Sequence, residues 1–316
     1  MQFLASLFSN LAYLNPIPLA GWLVWLGLAG LLGVALFNWR TYQLKLDARA
    51  WGIFAGLALS TFITTFFIGL EFSSGSALPV PGLPQKAPGS TLMLFSAIPW
   101  TLAGGLLGPF AAAALGILSG LLRAVWDTHN LFTMLELGLM GVLFAVANRQ
   151  RYRTPMFGLL RQPLVSALLL TIVHTVLFVL GAFFTVSTLA TVSERLDYAL
   201  SNAGVASLAF AGEMLVAGLV AQVLAIAFPL RWGGIGLLQP SPAEKSIETR
   251  FVSGTGTIIS ILLITVLFGD WIIAGKAARD LLQNRLQSVA QVGSQSVPFF
   301  FEAGKTWLRK LRTIPY

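Results

Sequence analysis

The chain has 316 residues, 56% of them apolar and only 10% charged, with 20 Lys and Arg against 12 Asp and Glu and no cysteine. A soluble domain carries about 25% charge, whereas the mean hydropathy here is +0.79. These figures exclude an ordinary soluble globular protein, disulfides, thiolate metal centres and cysteine nucleophiles.

The apolar runs are continuous rather than alternating, which argues for spanning helices and against a β-barrel. The expected fold is all-α: a polytopic membrane helix bundle of about eight transmembrane helices, followed by a C-terminal extracytoplasmic amphipathic helix. The net charge of +8 would suggest nucleic acid in a soluble protein. Here the basic residues sit in short loops, so the lipid bilayer is the expected partner and nucleic acid is not.

Residues 1–15 read as a short interfacial helix, because Phe3, Leu4, Phe8, Leu11 and Leu14 recur at helical spacing. Spans follow at about 17–38, 51–71, 91–107, 109–125, 131–147, 163–187, 203–229 and 252–274. The third and fourth are short and share the break Leu107-Gly108-Pro109. They are either two tilted helices or a partly re-entrant hairpin. No Lys or Arg precedes Arg40, so no cleavable signal peptide is expected.

The loops set an orientation. Arg40, Lys45 and Arg49 follow the first span, Arg149, Arg151, Arg153 and Arg161 lie between the fifth and sixth, and Arg231, Lys245 and Arg250 between the seventh and eighth. The alternate loops are poor in charge: Lys86 lies in the Pro/Gly-rich stretch 79–89, and Arg195 sits between Glu194 and Asp197. The positive-inside rule puts the arginine-rich loops in the cytoplasm and both ends of the chain outside.

After Gly275 the sequence changes character and becomes charged and amphipathic. Leu282, Leu286, Val289 and Val292 fall on one helical face, with Arg279, Gln283, Arg285 and Gln287 around it. Pro298 is expected to end or kink this helix, and 302–312 to form a second short one. An apolar stripe needs a partner: a second copy of the chain, further sequence or the membrane surface. The expected division is a helix-bundle domain at 1–274 and an extracytoplasmic tail at 275–316, the start of a soluble domain that homodimerises through its helix.

The densest site candidate lies in the fourth and fifth spans. Gly116 and Gly120 form a small-xxx-small pair that lets two helices approach closely. Arg123, Asp127, His129 and Glu136 follow. A charge as deep as Glu136 faces a partner or a wet cavity, and Arg123 is its expected ion-pair partner. That pair reads either as a packing device or as part of a ligand-sensing site. Trp126, Asp127 and His129 also read as residues of a wet turn. His174 lies about midway through the sixth span, where it can hydrogen-bond a neighbouring helix, pair with Glu213 of the seventh, or touch a ligand. Two histidines, no cysteine and no HExxH spacing leave no expectation of a metal, and no cofactor fingerprint occurs.

The stretch LLGPFAAAALGILSGLLRAVWDTHNLFTMLELGLMGVLFA, about 106–145, resembles the multi-helix sensor region of LytS-type bacterial histidine kinases. The resemblance rests on Gly108, Pro109, Gly116, Gly120, Arg123, Gly138 and Gly141. Asp127-Thr128-His129 stands where that family has a Gly-rich dipeptide. The same hairpin is similar to substrate-binding components of energy-coupling vitamin transporters. The stretch GDWIIAGKAARDLLQNRLQSVAQVGSQSVPFFFEAG, with its soluble part at about 275–304, looks like the opening of a Cache-type extracytoplasmic sensor domain.

These resemblances imply the membrane sensor region of a bacterial signal-transduction receptor in the inner (cytoplasmic) membrane. Its kinase or cyclase output domains would lie outside this chain, which itself has no enzymatic role. A small-molecule or lipid-derived ligand would meet Arg123, Asp127, His129, Glu136, His174 and Glu213. The alternative is the substrate-binding component of a vitamin-type transporter.

Overall fold

The computed structural model describes residues 14, 17–43, 45, 47–72, 89–186, 190–233, 236–241 and 247–312. The expected interfacial helix at 1–15 and most of the 79–89 loop lie outside them. The chain divides into two compact units, Met1–Ser241 and Pro242–Tyr316.

Local sequence signals account for where the helices of the first unit begin. Helix α1 spans Leu19–Asn38. Helix α2, Ala48–Thr64, starts where the Asp47 carboxylate accepts the Ala50 N–H at 2.8 Å. Proline, which has no N–H to waste, occupies the first turn of four helices. These are α3 (Ile98–Leu106), α4 (Pro109–Arg123), α6 (Pro155–Leu160) and α7 (Pro163–Thr185). Helix α5 covers Phe132–Arg149. Helix α8, Val192–Ala227, opens with a capping box between Thr191 and Glu194. That cap starts it eleven residues before the apolar run from 203 that marks it in the sequence.

Two expected spans are not simple helices. The stretch 51–71 is helical only to Thr64 and ends in strand β1, Gly69–Glu71. The stretch 91–107 begins as strand β2, Thr91–Met93, and its helix α3 has nine residues. Nine residues rise only about 14 Å, half a bilayer core. The strands pair antiparallel in the register Gly69↔Met93, Leu70↔Leu92, Glu71↔Thr91. The fold is therefore helical, as expected, with one short two-stranded pairing added among the described residues.

Five helical stretches among the described residues are long and apolar enough to cross a membrane: Leu19–Asn38, Pro109–Thr128, Phe132–Arg149, Pro163–Thr185 and Val192–Ala227. Their surfaces suit lipid. Leu19, Leu23, Ile172, Val176, Leu208, Val223 and Ile226 are exposed, while Arg123, Glu136, Asn148, His174, Asn202 and Glu213 are buried. A soluble protein inverts that arrangement.

The core runs between α3, α4, α5, α7 and α8 around Trp100, Met140, Phe144 and Met214, with Trp100 edge-on to Phe144. Within it α4 and α5 form a close hairpin. A methyl group on Gly120 would lie 2.6 Å from the Met134 Cα and the Thr133 carbonyl, and one on Gly116 would strike the Leu137 carbonyl. The small-xxx-small reading of this pair therefore corresponds to direct backbone contact.

The second unit is dominated by α9, one helix of 66 residues over Ile247–Arg312. It runs through Gly275 and carries Pro298 internally, so of the end or kink expected there the end does not occur, and 302–312 belongs to α9 rather than to a separate helix. Proline removes one N–H and frees one carbonyl. Around it Val297, Phe299 and Phe300 are exposed, so water can satisfy that carbonyl.

Candidate functional site

Arg123 ends α4, and the chain then takes one wide π turn over Ala124–Thr128 before His129 adopts a left-handed conformation at φ 50°. Such wide turns concentrate at functional sites. This one places Asp127 one turn beyond Arg123, on the same side.

Arg123 is the centre of a buried ionic cluster. Its Nη1 donates to both carboxylate oxygens of Glu213 on α8, at 2.9 and 2.8 Å. Its Nε and Nη2 donate to Asp127 Oδ2 at 3.3 and 3.1 Å, and Nη2 also reaches the Thr91 carbonyl at 3.3 Å. Glu213 is in turn saturated. Its Oε1 accepts the Met93 N–H at 2.8 Å and its Oε2 accepts the Ser96 hydroxyl at 3.0 Å. The side chains of Arg123 and Glu213 are only 6% and 1% exposed. The pair thus ties α4 and α8 to the strand hairpin, and every strong donor and acceptor in it is used.

The expected Arg123–Glu136 ion pair is replaced by the pairs with Glu213 and Asp127. The reason is geometric. Contact at Gly116 and Gly120 locks the α4–α5 hairpin, and Glu136 turns towards α7. There its Oε1 lies 2.5 Å from where a Cβ on Gly181 would stand. That oxygen is buried and has no hydrogen-bond partner. Of the roles expected for His174, neither a hydrogen bond to a neighbouring helix nor a pair with Glu213 forms among the described residues. The imidazole stacks on Phe210, ring centroids 3.8 Å apart and 11° between planes, and its Nδ1 finds no hydrogen-bond partner.

Glu136 and His174 share a small cavity with Arg123, Thr128, Asn130 and Thr133. Its volume of about 20 Å³ is room for one water-sized occupant. The Thr128 and Thr133 hydroxyls hydrogen-bond each other at 2.9 Å, and the Asn130 side-chain oxygen accepts the Phe132 N–H at 2.9 Å where α5 begins. Two groups with spare hydrogen-bonding capacity therefore adjoin a cluster that has none. Among the described residues no three His, Asp or Glu side chains converge with metal-ligand geometry.

The structure brings together Arg123, Asp127, Glu136, His174 and Glu213; His129 is half-buried beyond the π turn. Sequence reasoning missed Ser96 and the backbone of Thr91 and Met93. Their signal was weak: a short polar interruption, Ser90-Thr91, before an apolar run. No protein-family model, curated protein or solved structure matches this chain.

Proposed function

We propose that this chain is the membrane-embedded sensing region of a bacterial signal-transduction receptor, multi-pass in the inner membrane, with output domains outside the chain. The observation that carries the reading is the contrast inside the buried site. Arg123 is held by Glu213 and Asp127, while a third carboxylate, Glu136, stands beside the same cavity with an unsatisfied oxygen.

Arg123 thus has one set of acidic partners in place and a further carboxylate, Glu136, on the same cavity, an alternative arrangement of the kind a two-state element requires. A ligand or ion that satisfies Glu136 and His174 favours one arrangement of α7 and α8 against the locked α4–α5 hairpin. The cavity admits only a water-sized species as packed, so anything larger must part those helices. Binding and repacking are then one event. The 66-residue α9 suits a relay. At 1.5 Å per residue it is about 100 Å long, against about 30 Å for a bilayer core. Leu286 and Val289 stand exposed on its later part and fit pairing with a second copy.

The test replaces Glu136 with Gln in the native gene and follows receptor output and small-solute uptake together. Output locked in one state with uptake unchanged is expected. Unchanged output with lost uptake would overturn the sensor reading in favour of a transporter's substrate-binding component. The chain has no cysteine, so Leu286→Cys gives a clean check on pairing. Oxidation should yield a cross-linked dimer, and a monomer under oxidant would remove dimerisation through α9.

A further inference from the structure

At the opposite end of α4 and α5 from the Arg123 cluster lies a much larger cavity, about 1050 Å³. It is lined by residues 41–43 in the turn after α1, by the start of α2, by the ends of α3 and α5, by residues 151–152, and by residues from 230–233 and 236–239. That volume is at the upper end of the range for small-molecule sites.

Its chemistry is one-sided. Arg49, Arg149, Arg151 and Arg231 line it, and Asp47 is the one carboxylate among the lining residues. Asp47 is already engaged at the start of α2. None of the four arginines makes an ion pair among the described residues. Arg149 forms the floor, 5% exposed, and is held in place by donating to the Tyr42 carbonyl at 2.7 Å and the Gly105 carbonyl at 2.9 Å. Arg151 has a buried Nε with no hydrogen-bond partner. Burial, and then the charge of Arg161, lower its pKa from the ordinary arginine value. Arg49 and Arg231 are exposed at the mouth. Four gathered cations against one engaged carboxylate repel one another, unless something anionic enters.

The cavity is also braced. Gln239 donates its N–H to the Arg151 carbonyl at 2.7 Å, and Arg153 donates to the Gln239 carbonyl at 2.9 Å. These bonds stitch the two loops that carry Arg151 and Arg231. The Tyr42 hydroxyl donates to the Tyr152 hydroxyl at 3.4 Å, which leaves the Tyr152 proton as a donor on one wall. Guanidinium forks match tetrahedral oxyanions in pairs, and the volume exceeds what a bare carboxylate needs. Leu230 and Leu237, 87% and 91% exposed, add an apolar rim.

We propose that this cavity binds a phosphate-bearing anion, with its oxygens between Arg149, Arg151 and Arg231. The source is either the headgroup of an anionic phospholipid, which the apolar rim suits, or a soluble phosphorylated solute. The site is distinct from the Arg123 cluster and does not depend on the sensing reading.

The test uses the full chain purified in detergent. Native mass spectrometry compares adducts with phosphatidylglycerol and with phosphatidylcholine, and thermal unfolding is followed with and without pyrophosphate. Arg149 is left intact because it holds two backbone carbonyls. R231Q and R151Q/R231Q are compared with R40Q, which removes the same charge from an exposed residue outside the cavity. Phosphatidylglycerol retained over phosphatidylcholine, weakened about tenfold for each cavity arginine lost and unaffected by R40Q, supports a lipid headgroup. Stabilisation by pyrophosphate with the same variant pattern, and no lipid preference, supports a soluble phosphate. If the double variant does not fold, the exposed single variant R231Q decides by the same criterion. Equal weakening by R40Q, or no preference for either phosphate probe, overturns the proposal.

Discussion

The two polar ends of this bundle handle arginine in opposite ways. At one end Arg123 is buried and matched: two carboxylates, a backbone carbonyl and the hydrogen bonds around Glu213 leave it nothing to gain from a ligand. At the other, four arginines surround open volume without an ion pair among the described residues. A matched buried charge serves structure or switching, because only a change of partner alters it. An unmatched cluster leaves capacity for something from outside. The difference teaches which charges in a membrane bundle should be sought as binding groups.

The sharpest way to break this comparison is Glu213→Ala. It strands a buried guanidinium and leaves the Met93 N–H and Ser96 hydroxyl without their acceptor. Removing one member of a buried pair costs about 3–5 kcal/mol. The variant should lose most of its folded yield in detergent, or show a strongly lowered unfolding midpoint. The double variant R123M/E213L should recover part of that loss, because no charge is then stranded. Equal stability of E213A and wild type would mean that Asp127 alone neutralises Arg123.

Gly120→Leu tests the locked hairpin against which the switch is proposed to work. Overpacking of a tight contact costs about 1–3 kcal/mol, and here the obstacle is the backbone at Thr133 and Met134. A lowered unfolding midpoint is expected; an unchanged one would show that α4 and α5 can separate without penalty. Ser96→Ala comes next. It leaves Glu213 with one acceptor position open, and loss of one hydrogen bond to a charged group costs about 1.5–3 kcal/mol at most. The remaining donors to Glu213 should bring the measured loss to the low end.

The sequence made the α4–α5 hairpin legible because its signals are local. Gly116, Gly120 and Arg123 lie within one helix, and Glu136 is thirteen residues further on. The distant partner of Arg123 was not legible, because Glu213 is 90 residues away and nothing in periodicity links distant helices. The strand hairpin was hidden for another reason. Leu70 and Leu92 are apolar, and short strands within apolar runs look like helix ends. Pro298 left both an end and a kink open, and the helix continues because one lost hydrogen bond in an exposed segment is affordable within 66 residues. The arginines of the second cavity were all visible, but as loop charges that set orientation. Only the folded arrangement shows that loops far apart in sequence place them around one volume.

Arg231→Gln is the smallest expected effect and the most discriminating. Arg231 is exposed and in no ion pair among the described residues, so in phosphatidylcholine its loss should change stability by about 0.5 kcal/mol or less. With phosphatidylglycerol or pyrophosphate present, wild type should gain stability by mass action, since ligand binds only the folded chain. R231Q should gain less, and the gap should widen with ligand concentration until both are saturated. A fixed gap, the same with and without the phosphate probe, would make Arg231 a structural charge like Arg123 and erase the distinction between the two ends. A gap that opens only with ligand separates a charge kept for the fold from one kept for what enters it.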